Sequence, residues 1–180
     1  MKDMLGRPSW NDVLMAMTFV LKQRSMDSTK HGCLAVDQHH AILSGGYNGP
    51  PRGSIDNNIP LDRPAKYDFI IHSEDNTILN AARNGIKLDN SNFIVSGRPC
   101  SRCLRSMISA GSKEIIYGPT QSHMVNEEDM KVQDQLLIGQ KVKIKEYEGS
   151  DFVDVLLSAL DDAEKCGIDV KVKIKEKFGI

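Results

Sequence analysis

The chain has 180 residues, enough for one domain with a sizeable core, and its apolar content of 40% is ordinary. With 23 basic against 24 acidic residues the net charge is −1, which argues against an obligate nucleic-acid binder but leaves room for a local basic pocket. There is no apolar run long enough for a membrane span, the amino terminus lacks a signal peptide's apolar stretch, and four cysteines do not make a disulfide framework, so a cytoplasmic protein is expected.

Taken in chain order, apolar residues at helical spacing (Val13, Leu14, Met17, Val20 and Leu21) predict a first helix with Ser9 as its N-cap. "GCLAVD" and "HAILSGGY" predict two strands joined as a hairpin. Residues 48–67, rich in Gly, Pro, Asn and Asp, form the longest irregular stretch, and so long a loop in a compact domain is usually functional or disordered. "SEDNTILNAARNG" predicts a helix ending at Gly85, "SNFIVS" a strand, "SRCLRSMISAG" a helix closed by Gly111, and "KEIIYG" a strand. "NEEDMKVQDQLLIG" predicts another helix and "KVKIKEYE" another strand. The order α-β-β-α-β-α-β-α-β predicts a layered α/β fold with helices on both faces of a mixed sheet.

Residues 1–148 read as one domain and 149–180 as an appendage. In the appendage, "DFVDVLLSALDDAEKCG" predicts an amphipathic helix. "DVKVKIKEKF" alternates like an edge strand, whose lysines would discourage sheet-to-sheet aggregation. The hexapeptide "KVKIKE" occurs at both 141 and 171; two alternating strands arriving at the same six letters explain it better than a duplicated module, because the flanks do not match.

The chemistry concentrates in "IIHSED" and "GRPCSRC". His72 opens one predicted helix with Glu74 in its first turn, and Cys100 and Cys103 open the next. Three apart on a helix, the two sulfurs point to one side. A helix N-terminus favours thiolate over thiol, the form that binds metal. One imidazole and two thiolates make a tetrahedral zinc site with one position open, as catalytic zinc requires. Zinc acidifies water and makes hydroxide available at neutral pH. Glu74 need not bind the metal and is read as the residue that moves protons beside it. A lone C-x-x-C also suits a zinc ribbon or a redox pair, but a redox pair leaves Pro99 and the His-x-Glu unexplained. A structural zinc would need a fourth ligand from Cys33, Cys166, His31, His39, His40 or His123. His39, His40 and His123 read as surface residues, and Cys33 and Cys166 as buried thiols.

The H-x-E…P-C-x-x-C pattern is the signature of zinc deaminases of cytosine and adenine. From residue 10 to about 147 the chain resembles the deoxycytidylate (dCMP) deaminase branch of the cytidine deaminase-like superfamily, in "QRSMDSTKHGCLAV", "GYNGPPRG", "KYDFIIHSEDNTI" and "PCSRCLRSMISAGSKEIIYG". The resemblance implies a three-layer α/β/α sandwich with a central mixed five-stranded sheet, and hydrolysis of dCMP to dUMP and ammonia. It implies one zinc per chain on His72, Cys100 and Cys103, with Glu74 as proton shuttle. It places Asn48 at the sugar and Arg24 near the 5′-phosphate. The bland readings are Asn-Gly turn chemistry for Asn48 and a solvated charge for Arg24. Arg83 and Arg98 are further phosphate candidates. The resemblance also implies a homo-oligomer, a hexamer, with dCTP–magnesium and dTTP as effectors near Gly49, Arg52 and Gly53. The chain departs from the family pattern at Ser73 and Thr77, where the family has Ala. Two rival readings are a deaminase of another cytosine nucleotide, nucleoside or free base, and a non-catalytic zinc-stabilised module, which has no use for Glu74.

Overall fold

The computed structural model describes residues 6–55 and 58–178. Contacts group the chain into two compact units, residues 17–147 and residues 1–16 with 148–180. Among the described residues no helix is long and apolar enough to cross a membrane.

Helix α1 (Trp10–Leu21) opens on a capping box, the Asp12 N–H donating to Ser9 Oγ at 3.2 Å and the Ser9 N–H to the Asp12 carboxylate at 2.9 Å. Its buried stripe differs from the expected one: Leu14 is buried, but Met17 and Val20 are exposed and Met15 and Thr18 are buried instead. The cause is a close approach, since a Cβ on Gly32 would lie 2.3 Å from the Thr18 carbonyl oxygen. The turn of α1 that faces the sheet is therefore the one carrying Thr18.

Strands β1 (Gly32–Val36) and β2 (Ile42–Tyr47) form the expected hairpin. The Asp37 carboxylate closes it by accepting the His39 and Ala41 N–H groups at 2.8 and 2.9 Å. Helix α2 (Ser73–Arg83), strand β3 (Asn92–Val95), helix α3 (Ser101–Ser109), strand β4 (Glu114–Tyr117), helix α4 (Glu127–Leu137) and strand β5 (Lys143–Glu146) follow. The sheet order is β2-β1-β3-β4-β5, with β1 antiparallel to both neighbours and β3, β4 and β5 parallel. Parallel neighbours need crossovers, and α3 and α4 supply them. Cys33, Ala35, Phe93, Val95 and Ile115 alternate onto one face and form a core cluster with Ala81 of α2 and Leu104 and Met107 of α3. Leu34, Ile94 and Ile116 on the other face are buried too, so both faces are covered, as a layered α/β fold demands.

This topology brings the amino end of β1 together with the carboxyl ends of β2, β3 and β4. The backbone bridge between Gly49 and Ile71 pins both ends of the irregular segment at the same edge.

In the other unit, α5 (Asp151–Lys165) is the expected helix, but the segment expected as an edge strand is helix α6 (Val170–Phe178). The first KVKIKE pairs with β4, residue by residue from Glu114↔Lys143 to Tyr117↔Glu146. The second has an N-cap instead: the Asp169 carboxylate accepts the Val172 N–H at 2.9 Å. Lysine is a good helix former, and strand preference depends on having a partner to pair with. Cys166, expected to be buried, ends α5 and is exposed, whereas Cys33 is buried as expected.

Candidate active site

His72 and Cys100 are the N-cap residues of α2 and α3, and neither side chain caps its own helix. They face each other instead. His72 Nδ1 lies 3.6 Å from Cys100 Sγ and 3.3 Å from Cys103 Sγ, and the two sulfurs are 3.6 Å apart. Around a tetrahedral zinc with bonds of about 2.3 Å to sulfur and about 2.0 Å to nitrogen, the sulfurs would be about 3.8 Å apart and each about 3.5 Å from the nitrogen. The donors therefore already stand at the edge lengths of a zinc tetrahedron. Among the described residues no fourth His, Cys, Asp or Glu joins this group.

The two helices that lend their caps to this cluster are capped by other elements. Asn48 Oδ1, just after β2, accepts the Ser73 N–H at 3.0 Å. The Asp129 carboxylate of α4 accepts the Ser101 N–H at 3.1 and 3.2 Å. Asn48 and Asp129 thus satisfy first-turn amides that have no partner within their own helices.

Electrostatics press for a cation at the cluster. The hydrogen bond from Cys103 pulls the Cys100 thiol down to about 4, against burial and with help from His72. The same bond, with burial, pushes Cys103 well up, and the bond to Cys100 raises His72. The pair thus holds one thiolate and one thiol sharing a proton, and a cation bound there would let both sulfurs be thiolates. Glu74 is buried, and that burial raises its carboxyl above the ordinary range, opposed by the charge of His72 and by the Ser73 hydroxyl, which donates to Glu74 Oε2 at 2.8 Å. A carboxyl raised in this way is suited to both taking and giving a proton.

The pocket above the cluster is lined by His72, Glu74, Cys100, Asn48 and Arg98 among the expected residues. Asn48 is not in the left-handed region, so turn chemistry does not explain it. Its amide donates to the Thr29 carbonyl at 2.8 Å. Arg98 is braced by Gln133 and by Tyr117, whose hydroxyl accepts from Nη1 at 3.1 Å. Arg24 is not part of this pocket. It is exposed in a separate groove of about 550 Å³ with Gly49, Arg52 and Gly53, where Arg52 donates to Asn80 Oδ1 at 3.2 Å. Arg83 lines neither, because nine residues of helix at ~1.5 Å each carry it about 14 Å from Glu74.

The pocket also holds residues that the sequence did not assign to it. His31 lines it, buried, with Nε2 lacking a partner. Arg63 donates to Thr29 Oγ1 at 3.1 Å, and Lys66 and Asp27 form a buried ion pair at 2.6 Å. His123 is exposed, as expected of a surface residue, yet stands in the pocket lining. Asp27 and Lys66 lie 39 positions apart, so no local pattern pairs them. Of these residues only His31 abuts a strand in the sequence, one position before β1. The room inside is small, about 30 Å³, enough for a water or two.

The family profile described as "Cytidine and deoxycytidylate deaminase zinc-binding region" matches residues 8–119. The chain belongs to the cytidine and deoxycytidylate deaminase family. The deoxycytidylate deaminase of Pongo abelii is 33% identical over 125 residues, which is 66% of this chain and 69% of that protein. ComE operon protein 2 of Bacillus subtilis is 28% identical over 183 residues, 96% of this chain and 95% of that protein. An alignment that long runs into residues 148–180. The crystal structure of the dCMP deaminase from cyanophage S-TIM5, in complex with dCMP and dUMP, superposes with a TM-score of 0.65 at 24% identity, covering 78% of this chain and 98% of that one, and shares its fold.

Ser73 lies between His72 and Glu74 in the chain. Ser73 has no exposed surface, and its hydroxyl holds the Glu74 carboxylate. Thr77 Oγ1 donates to the Ser73 carbonyl at 2.8 Å and tightens the same turn. Gly46 lets β2 approach it: a Cβ there would lie 2.6 Å from both Ser73 O and Thr77 N.

Proposed function

We propose that the chain is a zinc-dependent deaminase that converts dCMP and water into dUMP and ammonia, supplying dUMP for thymidylate synthesis. The observation that carries this is the His72–Cys100–Cys103 triangle at zinc spacing, with buried Glu74 beside it, in a pocket that also holds two arginines. His72, Cys100 and Cys103 hold the metal. Zinc bound there supplies a Lewis acid that acidifies water. Glu74 takes a proton from the water that attacks C4 of the cytosine ring and delivers it to the amine that leaves as ammonia. Ser73 fixes the carboxylate's orientation during both transfers. Arg63 and Arg98 receive the 5′-phosphate by charge-assisted hydrogen bonds, and Asn48 keeps one amide proton for the sugar. Reduced thiols at the site suit the cytoplasm.

Ammonia release from dCMP, CMP, deoxycytidine, cytosine and guanine tests this directly. The fastest turnover is expected on dCMP. Preference for deoxycytidine would remove the mononucleotide reading, and zinc retention without turnover on any of the five would leave a binding module.

The groove with Arg24, Arg52, Gly49 and Gly53 favours an addition to this reading: an effector site for dCTP with magnesium, antagonised by dTTP. Arg24 is assigned there, and no longer to the substrate's phosphate. Arg24→Ala and Arg52→Ala should then abolish any response to dCTP and leave the basal rate within about threefold. A dCTP response that survives both substitutions would empty this groove of that role. A homo-oligomer, the hexamer, belongs to the same proposal. It is supported by the exposed Tyr67, Phe69 and Leu79 around a groove of about 500 Å³, and sedimentation tests it.

A further inference from the structure

Gln133 sits in the middle of α4 with no exposed surface. A buried amide is unfavourable unless every polar atom finds a partner, and a leucine would fill nearly the same space. Here each polar atom of the amide is bonded, and the bonds converge on one turn. Oε1 accepts from Arg98 Nε at 3.0 Å, and Nε2 donates to the Pro99 carbonyl at 3.0 Å and to the Asp129 carboxylate at 2.7 Å. That carboxylate in turn accepts the Ser101 N–H. The residues flanking Cys100 on both sides are therefore tied to one helix. The amide has a single workable orientation, because a flip would set its NH₂ against the guanidinium and its oxygen against a carbonyl and a carboxylate. Arg98 gains a second brace at Tyr117, with its guanidinium 5.3 Å from the ring centre.

We propose that Gln133 is a positioning residue with two outputs: through Pro99 and Asp129 it sets the turn that carries Cys100, and through Arg98 it fixes the guanidinium that meets the substrate. The second output rests on the mononucleotide reading above; the first does not. A fully satisfied buried network specifies one geometry where apolar packing would allow several.

Two variants test it. Gln133→Leu removes all three bonds at similar volume, and Gln133→Glu keeps the acceptor for Arg98 while losing both donations. In Gln133→Leu, kcat/KM for dCMP should fall about tenfold or more, mainly through KM, as expected when a charge-assisted contact is misplaced. The value for deoxycytidine should change less than about threefold. Gln133→Glu should keep the preference for dCMP over deoxycytidine. Both variants should surrender zinc to a chelator faster than wild type, and their cobalt-substituted forms should show altered thiolate-to-cobalt absorption. A Gln133→Leu protein with wild-type KM, zinc release and cobalt spectrum would overturn the proposal. So would equal losses on both substrates with an unchanged cobalt spectrum, the mark of general destabilisation. Should Gln133→Leu fail to fold, Gln133→Glu decides alone: an unaltered cobalt spectrum and zinc release rate overturn the proposal. If wild type itself shows no preference for dCMP, the mononucleotide reading fails, and zinc release and the cobalt spectrum decide the role of Gln133.

Discussion

Among single residues, the site assigns different tasks to neighbours one position apart. His72 faces the two sulfurs, Ser73 binds both Asn48 and Glu74, and Glu74 is sealed from solvent beside them. Replacing Glu74 by Gln keeps the shape and removes the proton acceptor. General acid–base catalysis is typically worth ~10²–10⁴-fold. Glu74→Gln should lose at least that in kcat while zinc content and melting temperature stay as in wild type; wild-type turnover would place the base elsewhere. His31 offers a second residue-scale test. Burial pulls its imidazole down to about 4, although a bond to the Gln121 backbone raises it and Lys22, His72 and Asp27 add smaller charges. Its folded value lies below its unfolded value of about 6.5, so the unfolded chain binds the extra proton between the two. The neutral ring's contribution is present in full above about pH 6.5 and is lost as the pH falls toward 4. Its size is on the order of 3 kcal/mol. His31→Leu should flatten that part of the stability–pH curve, read by denaturant unfolding from pH 4 to 7. An unchanged slope would mean the imidazole is not held neutral.

At the level of elements, the His72–Cys100–Cys103 cluster was legible because motif and helix start coincide: His-x-Glu and Pro-Cys-x-x-Cys each follow an apolar run and precede a helical pattern. What was not legible depends on who faces whom. The first and second KVKIKE are identical in letters, and only the availability of β4 separates strand from helix. Arg24 follows an apolar helix as the phosphate reading wanted, yet the end of α1 delivers it to the other groove. Gln133 could have drawn notice as a polar residue in register with Met130 and Leu137 on α4, but its partners at 98 and 99 come only with the fold. The site's dependence on trans caps gives a test at this scale. Asn48→Ala leaves the buried Ser73 N–H without its acceptor, an effect of about 1–3 kcal/mol. Gly46→Ala forces β2 and α2 apart and should destabilise by a similar ~1–3 kcal/mol. Both should lower the melting temperature and accelerate zinc loss together, because His72 starts the helix that moves. A variant that melts early but holds zinc as wild type does would separate the helix start from the metal site.

For the whole molecule, the sheet edge supplies the site and the long irregular segment encloses it. Ends pinned at Gly49 and Ile71, that segment carries Arg63, Lys66 and Tyr67 into the pocket lining. The room in the pocket is about 30 Å³, less than a nucleotide fills, so an outward shift of residues 58–70 or of the Ser122–Met124 turn is expected when a nucleotide binds. The Arg63–Thr29 hydrogen bond at 3.1 Å is one contact that such an opening breaks. Thr29→Val should therefore leave zinc binding unchanged and alter KM for dCMP by a fewfold; an identical KM would show that this contact stays closed during turnover.

The most direct measurement of the central claim follows ammonia and dUMP together from dCMP, in protein stripped of metal and in the same protein given back one zinc per chain. No turnover is expected without metal, and with zinc restored, equal molar amounts of ammonia and dUMP at a rate that rises in proportion to zinc bound. Full-rate deamination by the stripped protein, or a zinc-loaded protein that releases no ammonia from dCMP, would contradict it.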